Sequence, residues 1–275
     1  MRTSEWIQVG FAVILATAAL IRPLPSERRW ITAILAALVI VVVALVRSSA
    51  HYIPQRSVSM IRDWLPAGLL LVPYWQTGQF FLEPNIKIQN RLAAFDHWLL
   101  PRVAATSGTS RTCIGWSMEV AYLFCYPLVP LGLLALYAFG LRGYVSGFWF
   151  VVLVSTYICY AITPFVPALP PRVLDSAQVV STPPGKARAF NRWILNHGSI
   201  HAISFPSAHV ASALAVSFIL LRVIPIVGLA FLVVAIWISI GAVVGRYHFM
   251  LDVLLGAVTA LVVFLASYAF LPIAT

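Results

Sequence analysis

Eight apolar runs separated by polar segments decide what this chain can fold into. They are Trp6 to Ile21, Trp30 to Val46, Trp64 to Leu82, Trp116 to Leu141, Tyr144 to Ile162, Pro206 to Leu221, Val223 to Val244 and Val253 to Phe270. About 20 mainly apolar residues carry a helix across a bilayer. Backbone groups in hydrocarbon must bond within their own segment, so such runs become helices. The chain is 61% apolar and 9% charged, with a mean hydropathy of +0.93. A soluble domain carries roughly 25% charged residues. The expected class is all-α: a polytopic membrane protein built as a bundle of about six to eight transmembrane helices. Residues 1–60 read as N-terminal membrane spans and residues 61–275 as the main membrane domain. Trp6, Trp30, Trp64 and Trp116 open runs, as interface anchors do.

The first run is followed by Arg22-Pro23 and no small-residue cleavage site, so it is expected to stay as a span. The third run carries Gln76 and Gln79, which need polar partners and should face protein. Ile86 to Leu100 mixes Lys87, Arg91, Asp96 and His97 with bulky apolar residues. It suits a helix in the membrane interface or one packed on the protein. Ala187 to Leu195 suits a short surface helix. Glu119, early in the fourth run, is interfacial or paired, with Arg111 a neighbour in sequence. Cys113, Cys125 and Cys159 show no paired spacing and read as apolar filler.

The net charge of +10 comes from sixteen Arg and two Lys against eight acids. These charges fall between the apolar runs and form no basic face or stripe, which argues against nucleic acid. They suit headgroup contacts and topology signals.

Three polar constellations remain. Ser204-Phe205-Pro206-Ser207-Ala208-His209 opens the sixth run, with Pro206 expected at the first helical position. Free N–H groups at that helix start, with the helix dipole, attract an anion. Arg246-Tyr247-His248-Phe249-Met250-Leu251-Asp252 opens the eighth run. His248 and Asp252 are four apart and share a helix face. The carboxylate can accept the Nδ1–H and leave Nε2 free as nucleophile or base. A self-satisfied His–Asp pair is the alternative for that feature alone. Pro167 to Arg172 closes the fifth run. Two spans separate His209 from His248, so all three segments return to one membrane surface. Arg, Ser, two His and Asp are what phosphoryl transfer needs: cations and N–H donors for the equatorial oxygens, one imidazole to attack and another to protonate the leaving group.

These residues resemble a known family. Phe205-Pro206-Ser207-Ala208-His209 and His248-Phe249-Met250-Leu251-Asp252 with Gly256 are similar to motifs two and three of the type 2 phosphatidic acid phosphatase superfamily. Pro167 to Arg172 is similar to motif one in its Pro-Pro-Arg form, as in the branch of inositol phosphorylceramide synthases and their bacterial relatives. The resemblance covers residues 160–260. It implies a six-helix phosphatase-like core, His248 as phosphohistidine nucleophile, Asp252 orienting it and His209 as general acid. It also implies Ser207 and Arg172 on the phosphate, with no metal or other cofactor. The chain departs from the common pattern at Ala242, where the usual third motif has Arg, as that branch also does. Arg246 is the substitute candidate for phosphate. The usual motif-one Lys is absent, leaving Lys186 or Arg188 to reach in. His201 is a candidate for the site entrance; His51 and His97 read as interfacial.

The partner expected is a membrane lipid carrying a phosphate, with an alcohol as acceptor if the reaction is transfer. Two other classes stand beside this one. A metal-dependent hydrolase would use His201, His209, His248 and Asp252 as ligands. A transporter or lipid-binding protein would keep the phosphate pocket without turnover. Sidedness signals conflict: six Lys/Arg lie on the N-terminal side and twelve on the motif side. The positive-inside rule alone makes the motif side cytoplasmic. Bacterial relatives of the family place it outside, so a cell-membrane protein with an extracytoplasmic site is expected.

Overall fold

A computed structural model describes residues 1–99, 113–175, 185–200 and 202–268. Among these residues all regular structure is helical. The first two runs form α1 (Thr3–Ile21) and α2 (Ser26–Ser48). The third begins earlier than its apolar run. It is α3 (Gln55–Leu69) followed, one residue on, by α4 (Leu71–Gly78). Trp64 therefore sits inside α3, because Arg62 and Asp63 are carried in the helix by ion pairs rather than left in a loop. The segment after it forms α5 (Ile86–Leu99). The fourth run is broken into α6 (Cys113–Leu123) and α7 (Leu128–Ala138), bent by 66°. Pro127 and Pro130 supply no N–H there and favour a break. The fifth run is α8 (Val145–Ile162), followed by the short α9 (Pro171–Asp175) and by α10 (Lys186–Gly198). The last three runs are α11 (Ala208–Val223), α12 (Pro225–Val244) and α13 (Met250–Ser267).

Five described helices (α1, α2, α8 with its flanking turns, α12 and α13) are long and apolar enough to cross a membrane. The bent α6–α7 pair makes six, and α11 is a shorter apolar helix. Ile226, Val233 and Leu265 are exposed on the outside of the bundle, as a lipid-facing surface requires. Contacts sort the helix ends into two groups. Arg2, Asp63 and Arg142 meet at one end, and Arg222 reaches the Tyr268 carbonyl. At the other end Arg28 donates to the Gln79 and Phe81 carbonyls. There, too, Tyr74 accepts from the Ile200 N–H, and the three constellations gather. Gln76 is fully buried and donates to the Ala12 and Thr32 carbonyls, the protein-facing role its run demanded. The Gln79 side chain, just past the end of α4, donates to the Trp75 carbonyl one turn back.

α11 sits at the centre of the main core, against α8, α12 and α13, with Val210, Ala211, Ala215 and Leu220 buried. A smaller core joins α1, α2 and α3–α4 through Ala12, Ala36, Val39 and Leu69. Phe11 stacks on Tyr157 of α8 at 4.4 Å and ties the two cores together.

Asp63 clamps the far end. It pairs with Arg2 and with Arg142 (2.6 Å) and accepts from the Tyr137 hydroxyl at 2.5 Å. Its backbone carbonyl accepts from the Trp149 indole at 2.7 Å. Removing one partner of a buried charge network leaves the others unpaired, at a cost of about 3–5 kcal/mol. Asp63→Ala is therefore expected to lower the unfolding midpoint in detergent strongly while leaving substrate affinity unchanged. A midpoint equal to wild type would remove the clamp from this account.

Candidate active site

The site is assembled at the start of α11. Ser207 is its N-cap, with extended backbone and a side-chain oxygen that accepts from the Val210 N–H at 3.4 Å. Ser204 supports the same turn, accepting from the Ala208 N–H and donating to the Pro206 carbonyl. Pro206 does not occupy the first helical position. It lies one residue before the cap, after a cis Phe205–Pro206 peptide, because Ser207 takes the capping role. The Ser207 N–H donates to the Asp252 carbonyl at 2.9 Å, joining α11 directly to α13. Gly256 makes this approach fit: a Cβ there would lie 2.5 Å from the Ser207 carbonyl oxygen.

The α12–α13 loop presents the second half. The Tyr247 and His248 N–H groups both donate to the Ala242 carbonyl and close the end of α12. Arg246 takes a positive φ of 62°, uncommon for a residue with a Cβ and found at functional turns. His248 Nδ1 is 2.7 Å from the Asp252 Oδ2, with both side chains buried. The carboxylate fixes the Nδ1–H tautomer and leaves the lone pair on Nε2. Burial, and then the charge of Arg172, pushes the His248 pKa down to about 3 from its ordinary 6.5. The free imidazole is thus neutral at physiological pH, as a nucleophile must be.

His209, in the first turn of α11, lies with its ring 5.9 Å from that of His248 in an edge-to-face arrangement. Its Nδ1 is enclosed and has no hydrogen-bond partner among the described residues. Tyr122 and Tyr126 meet the same ring edge-on at 6.0 and 5.9 Å. Tyr122 in turn stacks on Tyr247 at 4.1 Å. Arg172, at the start of α9, lies over the Tyr247 ring at 5.8 Å, and its N–H donates to the Arg246 carbonyl. No hydrogen bond or ion pair engages its guanidinium among the described residues. Arg172, Ser207, His209, His248 and Asp252, drawn from three distant stretches, are therefore neighbours.

The remaining candidates are placed differently. Arg246 pairs with Asp96 of α5 at 3.3 Å. Asp96 also accepts from the Met250 N–H at 2.8 Å, filling an open donor at the start of α13. α5 therefore packs on the protein through Gln89, Leu92 and Asp96, with Ile86 and Trp98 exposed on its other side. Lys186 is exposed at the start of α10. Arg188 pairs with Glu119 at 2.8 Å. Glu119 also accepts from Asn191 and from the Tyr247 hydroxyl, so its partner here is Arg188. His201, Arg111 and the central part of the 172–204 loop lie outside the described residues. Tyr122, Tyr126, Asp96 and Glu119 were not expected as parts of the site, and Tyr247, inside the Arg246–Asp252 constellation, was given no role there. Buried acids beside apolar runs were the available signal; the tyrosines gave none. Among the described residues no three His, Cys, Asp or Glu side chains converge as metal ligands.

A cavity of about 320 Å³ reaches this site from the side. Its lining includes His209 and Ser212, Tyr126 and Tyr160, and the more exposed Leu71 and Trp75. A mostly apolar pocket with few convergent polar groups is the usual form of a ligand site.

A family model described as the PAP2 superfamily matches residues 90–266. Neither a curated protein nor a solved structure matches the chain.

Proposed function

The chain belongs to the PAP2 superfamily, and from that premise we propose that it is a membrane phosphatase or phosphotransferase acting through a phosphohistidine without a metal. Membership carries phosphatase-type chemistry on phosphorylated lipid substrates. The observation that carries the finer reading is the His248–Asp252 pair set beside His209 and an uncommitted Arg172.

In this reading the phosphate sits between Arg172 and the start of α11, where the Ser207 hydroxyl can donate to it; the free N–H groups expected there are not available at Ser207, Ala208 and Val210, which already donate to the Asp252 carbonyl, Ser204 and Ser207. The His248 Nε2 lone pair attacks phosphorus as the bond to the leaving oxygen breaks. That oxygen takes its electron pair and a proton from His209. Asp252 holds the imidazolium that forms. Water or an alcohol then attacks phosphorus, gives its proton to His209, and the P–N bond returns its pair to His248. Arg246, held against Asp96, and Lys186, at the exposed start of α10, are the further candidates to reach the phosphate.

The inositol phosphorylceramide synthase-like branch, and hence transfer to an alcohol, is favoured by Ala242. It is fully buried, with its carbonyl committed to two loop N–H groups. We place the active site on the extracytoplasmic face of the cell membrane, following bacterial relatives. Residues 1–60 form the accessory spans and 61–275 the catalytic unit. A reporter fused within 172–204 checks the sidedness; a cytoplasmic signal there refutes it.

The test of the reaction is phosphate release, or headgroup exchange with added alcohols, from a panel of lipid phosphates with strong chelator present. Turnover that persists under chelation supports the reading; turnover restored only by a divalent metal overturns it. The pH dependence follows from His248. Its pKa is lowered, so the nucleophile stays neutral until pH falls well below 6.5. The acid limb of kcat/KM, corrected for substrate ionisation, is therefore expected below 6.5. A limb above 6.5 assigned to the nucleophile would contradict the burial argument.

A further inference from the structure

We infer that the lateral cavity holds the hydrocarbon chain of the substrate, and that α3–α4, outside the family-matched residues, decides which chain fits. This rests on the lipid-phosphate reading above. The 66° bend between α6 and α7 creates the space, placing Cys125, Tyr126 and Pro130 on one wall. The α3–α4 unit closes it from the other side with Ala67, Leu70, Leu71 and Trp75. His209 lines the same cavity and lies 5.9 Å from His248, so a chain held there brings its attached phosphate to the imidazole that would protonate the leaving group.

The outer end is open to the bundle surface, since Leu71 is 47% and Trp75 41% exposed. A chain entering from the bilayer passes the Leu71 and Trp75 side chains. It gains nothing from leaving water, because bilayer tails are as apolar as leucine. Selection must then come from shape, and one wall of that shape, Ala67 to Trp75, is supplied from outside the family-matched residues. The wall is also coupled to the catalytic loop. The Trp75 indole donates to the Gly198 carbonyl at 3.3 Å, and the Tyr74 hydroxyl accepts from the Ile200 N–H at 3.1 Å. A Cβ on Gly78 would lie 2.5 Å from the Ile200 side chain, so α4 packs closely on the segment leading to Ser204.

The test is photo-crosslinking of the full chain in detergent with a long-chain phosphatidate carrying a diazirine in its acyl chain, followed by mapping of adducts by mass spectrometry. Adducts are expected on residues 67–75 and 125–130. Ala67→Phe and Leu71→Trp, each checked for an unchanged melting midpoint, are expected to lower that labelling by about tenfold through overpacking. Leu229→Trp, on the exposed side of α12, should leave it unchanged. Adducts confined to outward-facing positions such as Leu229 and Val233, or labelling of 67–75 and 125–130 that neither filling variant reduces, overturn the inference. Wild type labelled as expected but inactive on every lipid phosphate would overturn the phosphohistidine reading and leave the chain site standing. Turnover with adducts elsewhere would do the reverse.

Discussion

His248→Ala is expected to lower turnover of lipid phosphates by at least about 10⁴-fold, because removing a nucleophile leaves only binding and electrostatic stabilisation. His209→Ala should behave differently. A general acid matters in proportion to the basicity of the leaving group, so the loss is large for a lipid alkoxide, about 10²–10⁴-fold. It should be small for an aryl phosphate whose leaving oxygen needs no proton. The pair of substrates thus separates the two imidazoles, which lie 5.9 Å apart and cannot be told apart by proximity. Equal losses on both substrates for both variants would mean that the histidines act as one binding unit. Retained turnover in His248→Ala would remove the nucleophile assignment altogether.

Gly256→Ala carries the second large effect. Its Cβ would lie 2.5 Å from the Ser207 carbonyl oxygen and 3.4 Å from the Ser207 nitrogen, both backbone atoms that cannot rotate away. α13 must then shift from α11, taking Asp252 and His248 away from Ser207 and His209. A displacement near 1 Å costs about 10²-fold in a site that depends on alignment. Gly256→Ala is therefore expected to lose about 10²-fold in kcat while remaining a folded membrane protein. Wild-type kinetics in that variant would show that the helix approach has more slack than this packing allows.

These two predictions divide what could be read in advance from what could not. The four-residue spacing of His248 and Asp252 states their shared face directly, and the structure closes the pair at 2.7 Å. Pro206 before an apolar run marks a helix start, but two positions too early, because Ser207 takes the N-cap and Ala208 the first helical position. Glycine at 256 was legible as part of a motif. Its cause, the carbonyl of a residue 49 positions earlier, belongs to packing that no local pattern encodes. The same holds for α3. Arg62 and Asp63 read as loop because charges end apolar runs, yet both are held in a helix by partners from residues 5, 2 and 142. The supports of the site were hidden for the same reason. Asp96 and Glu119 appear in sequence as isolated acids near apolar runs. Only the fold shows one bonding to Arg246 and the Met250 N–H, and the other to Arg188, Asn191 and Tyr247. Tyr122 and Tyr126 had no signal at all, since a tyrosine near the end of a span reads as an interface anchor.

The central claim is that the His248 imidazole, held by Asp252, takes the phosphoryl group. The most direct measurement is a rapid quench of purified protein with a labelled lipid phosphate under chelator, followed by peptide mapping. An acid-labile, alkali-stable phosphoryl group is expected on the peptide containing His248, absent from His248→Ala and accumulating with an aryl phosphate in His209→Ala. Phosphoryl label on another residue, or turnover with no trapped phosphoprotein under any quench, would contradict it.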